Sequence, residues 1–254
     1  MYLWRRRASQ RWWSDNEKRL RDAAGDQLAI IDEAGRKRLQ FEVASPSRAE
    51  LQSLVKEFGG RVEKLPSDWL KRFSRQQKTK PIEIRDQKLI IPAGVAFGTG
   101  EHATTAMALR MLEKLTRRWK PGWSIVDLGT GSGILALAAK RFGAARVIGI
   151  DNDPLAIATA KENAQLNRIG SVQFRVGDVR RWKSSRQIDI VTANLFSELL
   201  IKILPKLKAA RWLILSGILR NQERDVTRIV RRHKIDIVQV RRRGKWVAIL
   251  TAVG

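Results

Sequence analysis

From Trp123 onward, short apolar runs alternate with stretches whose apolar positions recur every three or four residues. Ile125-Val126-Asp127-Leu128 predicts a buried strand, and a helix over 133–142 follows it, closed by Gly143. Val147-Ile148-Gly149-Ile150 predicts the next strand. The helix over 154–166 after it has Pro154 as first helical residue behind the cap Asp153. Val172 to Val176, Ile188 to Val191 and Leu213 to Leu215 continue the series, with helices between them, one spanning 197–208. Strands joined by single helices need right-handed crossovers, which builds a parallel sheet covered on both faces. The last two runs, Ile235 to Val240 and Trp246 to Thr251, are separated only by Arg241-Arg242-Arg243-Gly244-Lys245. That is too short for a crossover, so they form an antiparallel hairpin. The predicted class is α/β, with a mostly parallel sheet ending in that hairpin.

Residues 1–65 read as a separate small α/β lobe. Leu28 to Asp32, Leu39 to Val43 and Arg61 to Leu65 are strand-like. Ser47 caps a helix through Phe58 with Leu51, Leu54, Val55 and Phe58 on one face, and Gly59-Gly60 ends it. Arg11 to Ala24, with Trp12, Trp13 and Leu20 among charges, is a further helix. Pro66-Ser67-Asp68 marks a boundary. Residues 66–91 then form a connector, with a basic amphipathic piece from Trp69 to Lys80, and 92–254 form the main domain.

Composition narrows the chemistry. The 254 residues are 43% hydrophobic, enough for a full core. No run of eighteen apolar residues exists, so no membrane span is predicted, and Met1 to Arg7 is basic with no apolar stretch behind it, unlike a secretory signal. Cysteine is absent and histidine limited to His102 and His233, which argues against a metal centre and excludes a cysteine nucleophile. The expected location is the cytoplasm. Fifty Lys and Arg against 25 Asp and Glu leave +25. The excess is spread: residues 1–80 hold 19 bases and 11 acids, 81–184 hold 16 and 9, and 185–254 hold 15 and 5. Such a spread favours encounter with polyanions such as RNA, and it equally serves solubility.

The segment that carries chemistry is Asp127-Leu128-Gly129-Thr130-Gly131-Ser132-Gly133. It joins a strand to a helix N-terminus, where glycines let backbone amides approach a ligand. A dinucleotide site wants Gly-x-Gly-x-x-Gly, but position 134 is Ile. An acid before Gly-x-Gly-x-Gly instead suits S-adenosylmethionine, whose amino-acid part offers an ammonium for Asp127 rather than a pyrophosphate. Asp151, ending the second strand, stands where a carboxylate accepts both ribose hydroxyls. Asp178, ending the third, stands where it can accept from the adenine amino group. Either is also a common strand-end turn residue.

Residues 92–109, with Phe97-Gly98-Thr99-Gly100-Glu101-His102-Ala103-Thr104-Thr105, then the glycine turn, Ala193-Asn194-Leu195 and Leu215-Ser216-Gly217-Ile218, resemble the PrmA family. These are bacterial enzymes that methylate amino groups of the large-subunit ribosomal protein L11. The resemblance covers roughly residues 66–254. It implies a Rossmann-like class I methyltransferase fold, S-adenosylmethionine as cofactor and a ribosomal protein as partner. It further implies that Phe97, Gly98, Thr99, Thr104 and Thr105 cover the cofactor's methionine end beside Gly129 and Gly131, with Phe97 facing the sulfonium. Asn194 would stand beside the transferable methyl, its amide carbonyl orienting a neutral amine; an Asn there also serves as a helix cap. The N-terminal lobe would capture the acceptor.

This sequence departs from the family at Glu101, usually Thr, at Ala103, usually Pro, and in the Trp- and Arg-rich start. Glu101 or His102 either receives the acceptor's proton or shapes the loop. Three functions are therefore compared: methylation of L11, methylation of another protein lysine or a small molecule on the same scaffold, and non-catalytic RNA or ribosome binding.

Overall fold

The computed structural model describes residues 1–25, 28–31, 38–66, 81–85, 87–92, 100, 102–184 and 186–254. The chain divides into two compact units, Met1–Phe73 and Ser74–Gly254.

The first unit runs β1 (Tyr2–Ala8), α1 (Gln10–Ala24), β2 (Leu28–Ile31), β3 (Leu39–Ser45), α2 (Arg48–Phe58) and β4 (Arg61–Lys64). Its sheet has the order β2-β3-β1-β4 with every pair antiparallel, a split βαβ arrangement. Ser9 and Ser47 cap the two helices, accepting from Trp12 N (3.2 Å) and Glu50 N (3.4 Å). Trp4, Leu20, Phe41, Leu51 and Phe58 fill the core. Strand β1 was not legible, because Arg5-Arg6-Arg7 hides its alternation. The structure accommodates those charges individually. Arg6 lies over the Trp12 ring at 4.1 Å, and Arg5 Nε donates to Glu42 Oε1 at 2.6 Å.

The second unit begins with a short hairpin, β5 (Ile82–Ile84) and β6 (Gln87–Leu89), whose Ile84 and Leu89 are buried in this unit's own core. Asn167 fixes the chain after it, donating to Ile90 O and accepting from Ile90 N, both at 2.7 Å. Then follow α3 (Ala103–Thr116), β7 (Ser124–Leu128), α4 (Ile134–Arg141), β8 (Arg146–Asp151), α5 (Pro154–Leu166), β9 (Val172–Val176) and β10 (Ile188–Asn194). The chain ends with α6 (Ser197–Ile203), β11 (Ala210–Leu219), α7 (Glu223–Arg232), β12 (Ile235–Arg243) and β13 (Trp246–Val253). The sheet order is β12-β13-β11-β10-β7-β8-β9, and β13 alone runs against its neighbours. Strand order reverses beside β7, which puts a topological switch point between β7 and β10.

Two apolar clusters cover the faces. One joins Ile125, Ile190, Ile214 and Leu250 to α3 and α4; the other joins Val126, Val191, Leu213 and Ile249 to α6 and α7. The helix predicted over 197–208 stops at Ile203 and continues as a 3-10 turn, Leu204–Ala209, because Pro205 has no N–H to donate and crowds the preceding turn. The residues expected to connect the last hairpin extend β12 to Arg243 instead, leaving Gly244-Lys245 as the turn. Among the described residues no helix is long and apolar enough to cross a membrane.

Candidate active site at the switch point

The glycine turn leaves the end of β7 and enters α4. Gly129, Gly131 and Gly133 have φ of +72°, +52° and +81°, in the left-handed region where a side chain is strained. At Gly129 a Cβ would also press on Leu195 Cδ2, a side-chain tip that can shift, so the backbone conformation is the firmer reason for glycine here. Backbone bonds set the turn's shape: Gly129 N and Thr130 N both donate to Ile150 O, at 2.8 and 3.0 Å. Asn163 on α5 donates to Ser132 O at 2.8 Å from behind.

Asp127 is buried one residue before the end of β7 and aims at the same face as Thr192 of β10. Its Oδ1 accepts from Thr192 Oγ1 (2.6 Å) and its Oδ2 from Thr130 Oγ1 (2.7 Å). Burial pushes this carboxyl up to about 6, against the two hydroxyl hydrogen bonds that favour its charge; nearby Asp151 pushes it further up. The sequence assigns Asp127 to an ammonium, and in the structure each of its oxygens already holds a hydroxyl.

Asp151 is half-buried at the end of β8. Its Oδ2 accepts from Gly131 N (2.8 Å) and its Oδ1 from Asp153 N (3.1 Å), which ties the acid to the glycine turn. Asp178 lies beyond β9, and its Oδ1 accepts from Arg180 N at 2.8 Å and from Arg180 Nε at 3.0 Å. Those hydrogen bonds hold its carboxyl below the usual range.

Asn194 ends β10, one strand across the switch point. Its Nδ2 donates to Thr105 Oγ1 on α3 at 3.3 Å, while its Oδ1 is buried with no hydrogen-bond partner among the described residues. Ser216 stands opposite it on β11, and the hydroxyls of Ser216 and Ser197 are likewise buried and unpartnered. The loop after Asn194 is clamped from β11: Leu195 N donates to Ser216 O at 3.0 Å, and a Cβ on Gly217 would strike the Leu195 carbonyl. Thr104 is buried, with its Oγ1 at 2.8 Å from His102 Nδ1. The His102 ring meets Trp246 edge-on at 5.0 Å, and burial, then the charge of Lys245, lowers its pKa below the ordinary imidazole value. Phe97, Gly98, Thr99 and Glu101 lie outside the described residues.

The structure thus brings Thr105 and Asn194 together, and Asp127, Gly131 and Asp151 together, at the carboxyl ends of adjacent strands. Thr192 and Thr130 were missed by sequence reasoning. Thr130 carried only a local signal, a hydroxyl three residues after Asp127 in the same turn. Thr192 carried none, because its role depends on the register of β10 against β7. Leu195 and Ser216 stand in the sequence only as parts of a motif, and their packing against Gly129 and beside Gly217 is a feature of the fold.

A sheet of this order, with a glycine turn and strand-end acids at its switch point, defines the class: a Rossmann-like class I methyltransferase fold. The chain belongs to the PrmA family, described as Ribosomal protein L11 methyltransferase, which matches residues 70–253. It is 35% identical over 192 residues to the Ribosomal protein L11 methyltransferase of Symbiobacterium thermophilum, covering 67% of this chain and 62% of that one. The protein of the same name from Aquifex aeolicus is 34% identical over 232 residues, covering 85% and 87%. The crystal structure of ribosomal protein L11 methylase from Lactobacillus delbrueckii subsp. bulgaricus superposes with a TM-score of 0.61 at 27% identity, over 70% of this chain and 91% of that one. Against four of the curated relatives the chain spans between 52% and 65% of their length.

Proposed function

We propose that this protein transfers methyl groups from S-adenosylmethionine to amino groups of ribosomal protein L11, in the cytoplasm; its relatives are named as methyltransferases of that ribosomal protein. The observation that carries the reading is the pairing of two half-sites across the switch point: the glycine turn tied to Asp151, and the buried carbonyl oxygen of Asn194, unpartnered among the described residues.

The residues present fit the cofactor. A turn built of left-handed glycines leaves room for an amino-acid moiety against backbone amides, and Asp151 is a half-buried acceptor suited to ribose hydroxyls. Gly129, Gly131, Asp151, Thr104 and Thr105 would hold it together with the Phe97-Gly98-Thr99 segment, and Asp178 would face the adenine. Asp127 supports this site by fixing Thr130 in the turn and Thr192 in the neighbouring strand, and its remaining acceptor capacity would serve the ammonium. When bound, S-adenosylmethionine supplies an activated methyl group with a good thioether leaving group.

The work left to the protein is alignment and exclusion of water. Asn194 is held by Thr105 so that its Nδ2 is engaged and its Oδ1 is free to accept an N–H from a neutral amine. Such a contact would orient the amine nitrogen for attack on the donor's methyl group. A lysine acceptor has an ordinary pKa of about 10.4, and desolvation at the site lowers it toward the neutral form. His102, with its depressed pKa and its bond to Thr104, shapes the start of α3 rather than storing the proton. The N-terminal unit captures the acceptor, and the spread of positive charge supports contact with RNA-bearing assemblies. Titration calorimetry with the cofactor, followed by transfer of labelled methyl into purified L11, tests the reading; heat without label in L11 would redirect it to another acceptor.

A further inference from the structure

The excess of positive charge is not evenly used. Residues 220–245 hold ten basic and three acidic residues. On the α7 side of the sheet some of the bases meet acids. Arg242 Nε donates to Glu223 Oε2 at 2.8 Å, and Arg228 pairs with Asp225 at 2.6 Å. On the α3 side they do not. Strand β12 is the edge of the sheet, and its Arg241 and Arg243 stand in register with Ala248 and Trp246, whose side chains belong to the α3 face. Arg110, exposed on α3, approaches from the other wall. Together these elements enclose a shallow groove of about 380 Å³ floored by Ala106 and Met107. None of Arg110, Arg241 and Arg243 has an ion-pair or hydrogen-bond partner among the described residues. Three guanidiniums gathered on one groove repel one another, and an edge strand needs only isolated charges to discourage pairing.

We infer that this groove between α3 and β12 binds the phosphodiester backbone of single-stranded RNA. Side chains two residues apart on a strand stand about 6.7 Å apart, so Arg241 and Arg243 address different phosphates while Arg110 closes on the strand from the opposite wall. Arginine's planar fork matches phosphate oxygens in a bidentate manner, and its flat face accepts an unstacked base. The groove adjoins the site: Ala106 and Met107 follow directly on Thr105, which holds Asn194, and the hairpin beyond Arg243 packs Trp246 on His102. RNA lying here would sit beside the acceptor's position. This places the RNA contact proposed above and rests on that part of the reading, while binding itself needs neither cofactor nor methyl transfer.

The test is fluorescence anisotropy of a labelled single-stranded RNA with the full chain, without cofactor, across a salt series. The triple variant Arg110→Gln, Arg241→Gln, Arg243→Gln is compared with a control that loses equal charge on α7: Arg224→Gln, Arg231→Gln, Arg232→Gln. The groove variant is expected to weaken binding on the order of 10- to 100-fold near 0.1 M salt and to reduce the log–log salt slope by about 2, with the control within about threefold of wild type. Amide exchange on the wild-type chain provides a readout independent of variant folding: RNA should protect residues 239–243. Equal losses in both variants would reduce the effect to diffuse charge and overturn the site. So would displacement of the RNA by polyglutamate at matched charge, which would make the partner an acidic protein. Absence of RNA binding by wild type would remove the RNA contact while leaving methyl transfer to be judged by its own assay.

Discussion

The Thr192 hydroxyl donates to the Asp127 carboxylate across 2.6 Å, joining β10 to β7 between residues 65 apart in the chain. Burial, together with the charge of Asp151, raises this carboxyl to about 6, whereas an unfolded aspartate titrates near about 3.9. Between those values the folded chain keeps a proton that the unfolded chain has released. Its contribution to stability is therefore complete below the unfolded value and is lost as pH rises through the folded one. Asp127→Asn keeps the shape without the charge. From about pH 4 to about pH 7 the stability gap between wild type and variant should move in the variant's favour by about 2–3 kcal/mol, read by urea unfolding. A gap that stays level across that range would contradict the buried titration.

Gly129→Ala should destabilise the second unit by about 1–3 kcal/mol, from the left-handed backbone and the collision with Leu195 Cδ2. Adding Leu195→Ala should recover the steric share and leave the backbone share. Calorimetric melting of the single and double variants separates the two. A double variant no better than the single one would mean that the backbone alone is responsible.

Asp151→Ala should weaken cofactor binding by about 1.5–3 kcal/mol, roughly 10- to 150-fold in Kd. Asp178→Ala should cost less, because that carboxylate is already engaged by Arg180 at the surface. Titration calorimetry orders the two. An Asp151 variant with unaltered affinity would place the ribose contact elsewhere.

Much of the second unit was legible because its buried strands are short, apolar and bounded by clear turns. The positions of the glycine turn after β7 and of Asp151 at the end of β8 followed from residue type and spacing alone, while Asp178 falls beyond β9 rather than at its end. What was hidden shares one cause: the deciding partner is distant in sequence. β1 looks like a charge run until Trp12 and Glu42 are seen to take up Arg6 and Arg5. Likewise Arg241 to Arg243 read as a loop until β13 pairs with them. Asp127 was legible as important but not as the acceptor for two hydroxyls, since no local pattern fixes the register that delivers Thr192.

Asn194→Ala should lower kcat by about 100-fold while leaving cofactor affinity within about threefold, if the lost group aligns the acceptor, as proposed, and does not grip the donor. Thr105→Val, which removes only the partner of Nδ2, should give a smaller loss of kcat. Single-turnover kinetics beside calorimetry makes the distinction. Parallel loss of affinity and rate would recast Asn194 as a cofactor ligand alone.

The most direct measurement is incorporation of labelled methyl into purified ribosomal protein L11 by the wild-type chain, with Asn194→Ala run alongside. The account predicts label in L11 amino groups with wild type and near-loss with the variant, although both bind S-adenosylmethionine. Wild-type protein that binds the cofactor yet leaves L11 unlabelled, or an Asn194 variant that labels it at the full rate, would contradict it.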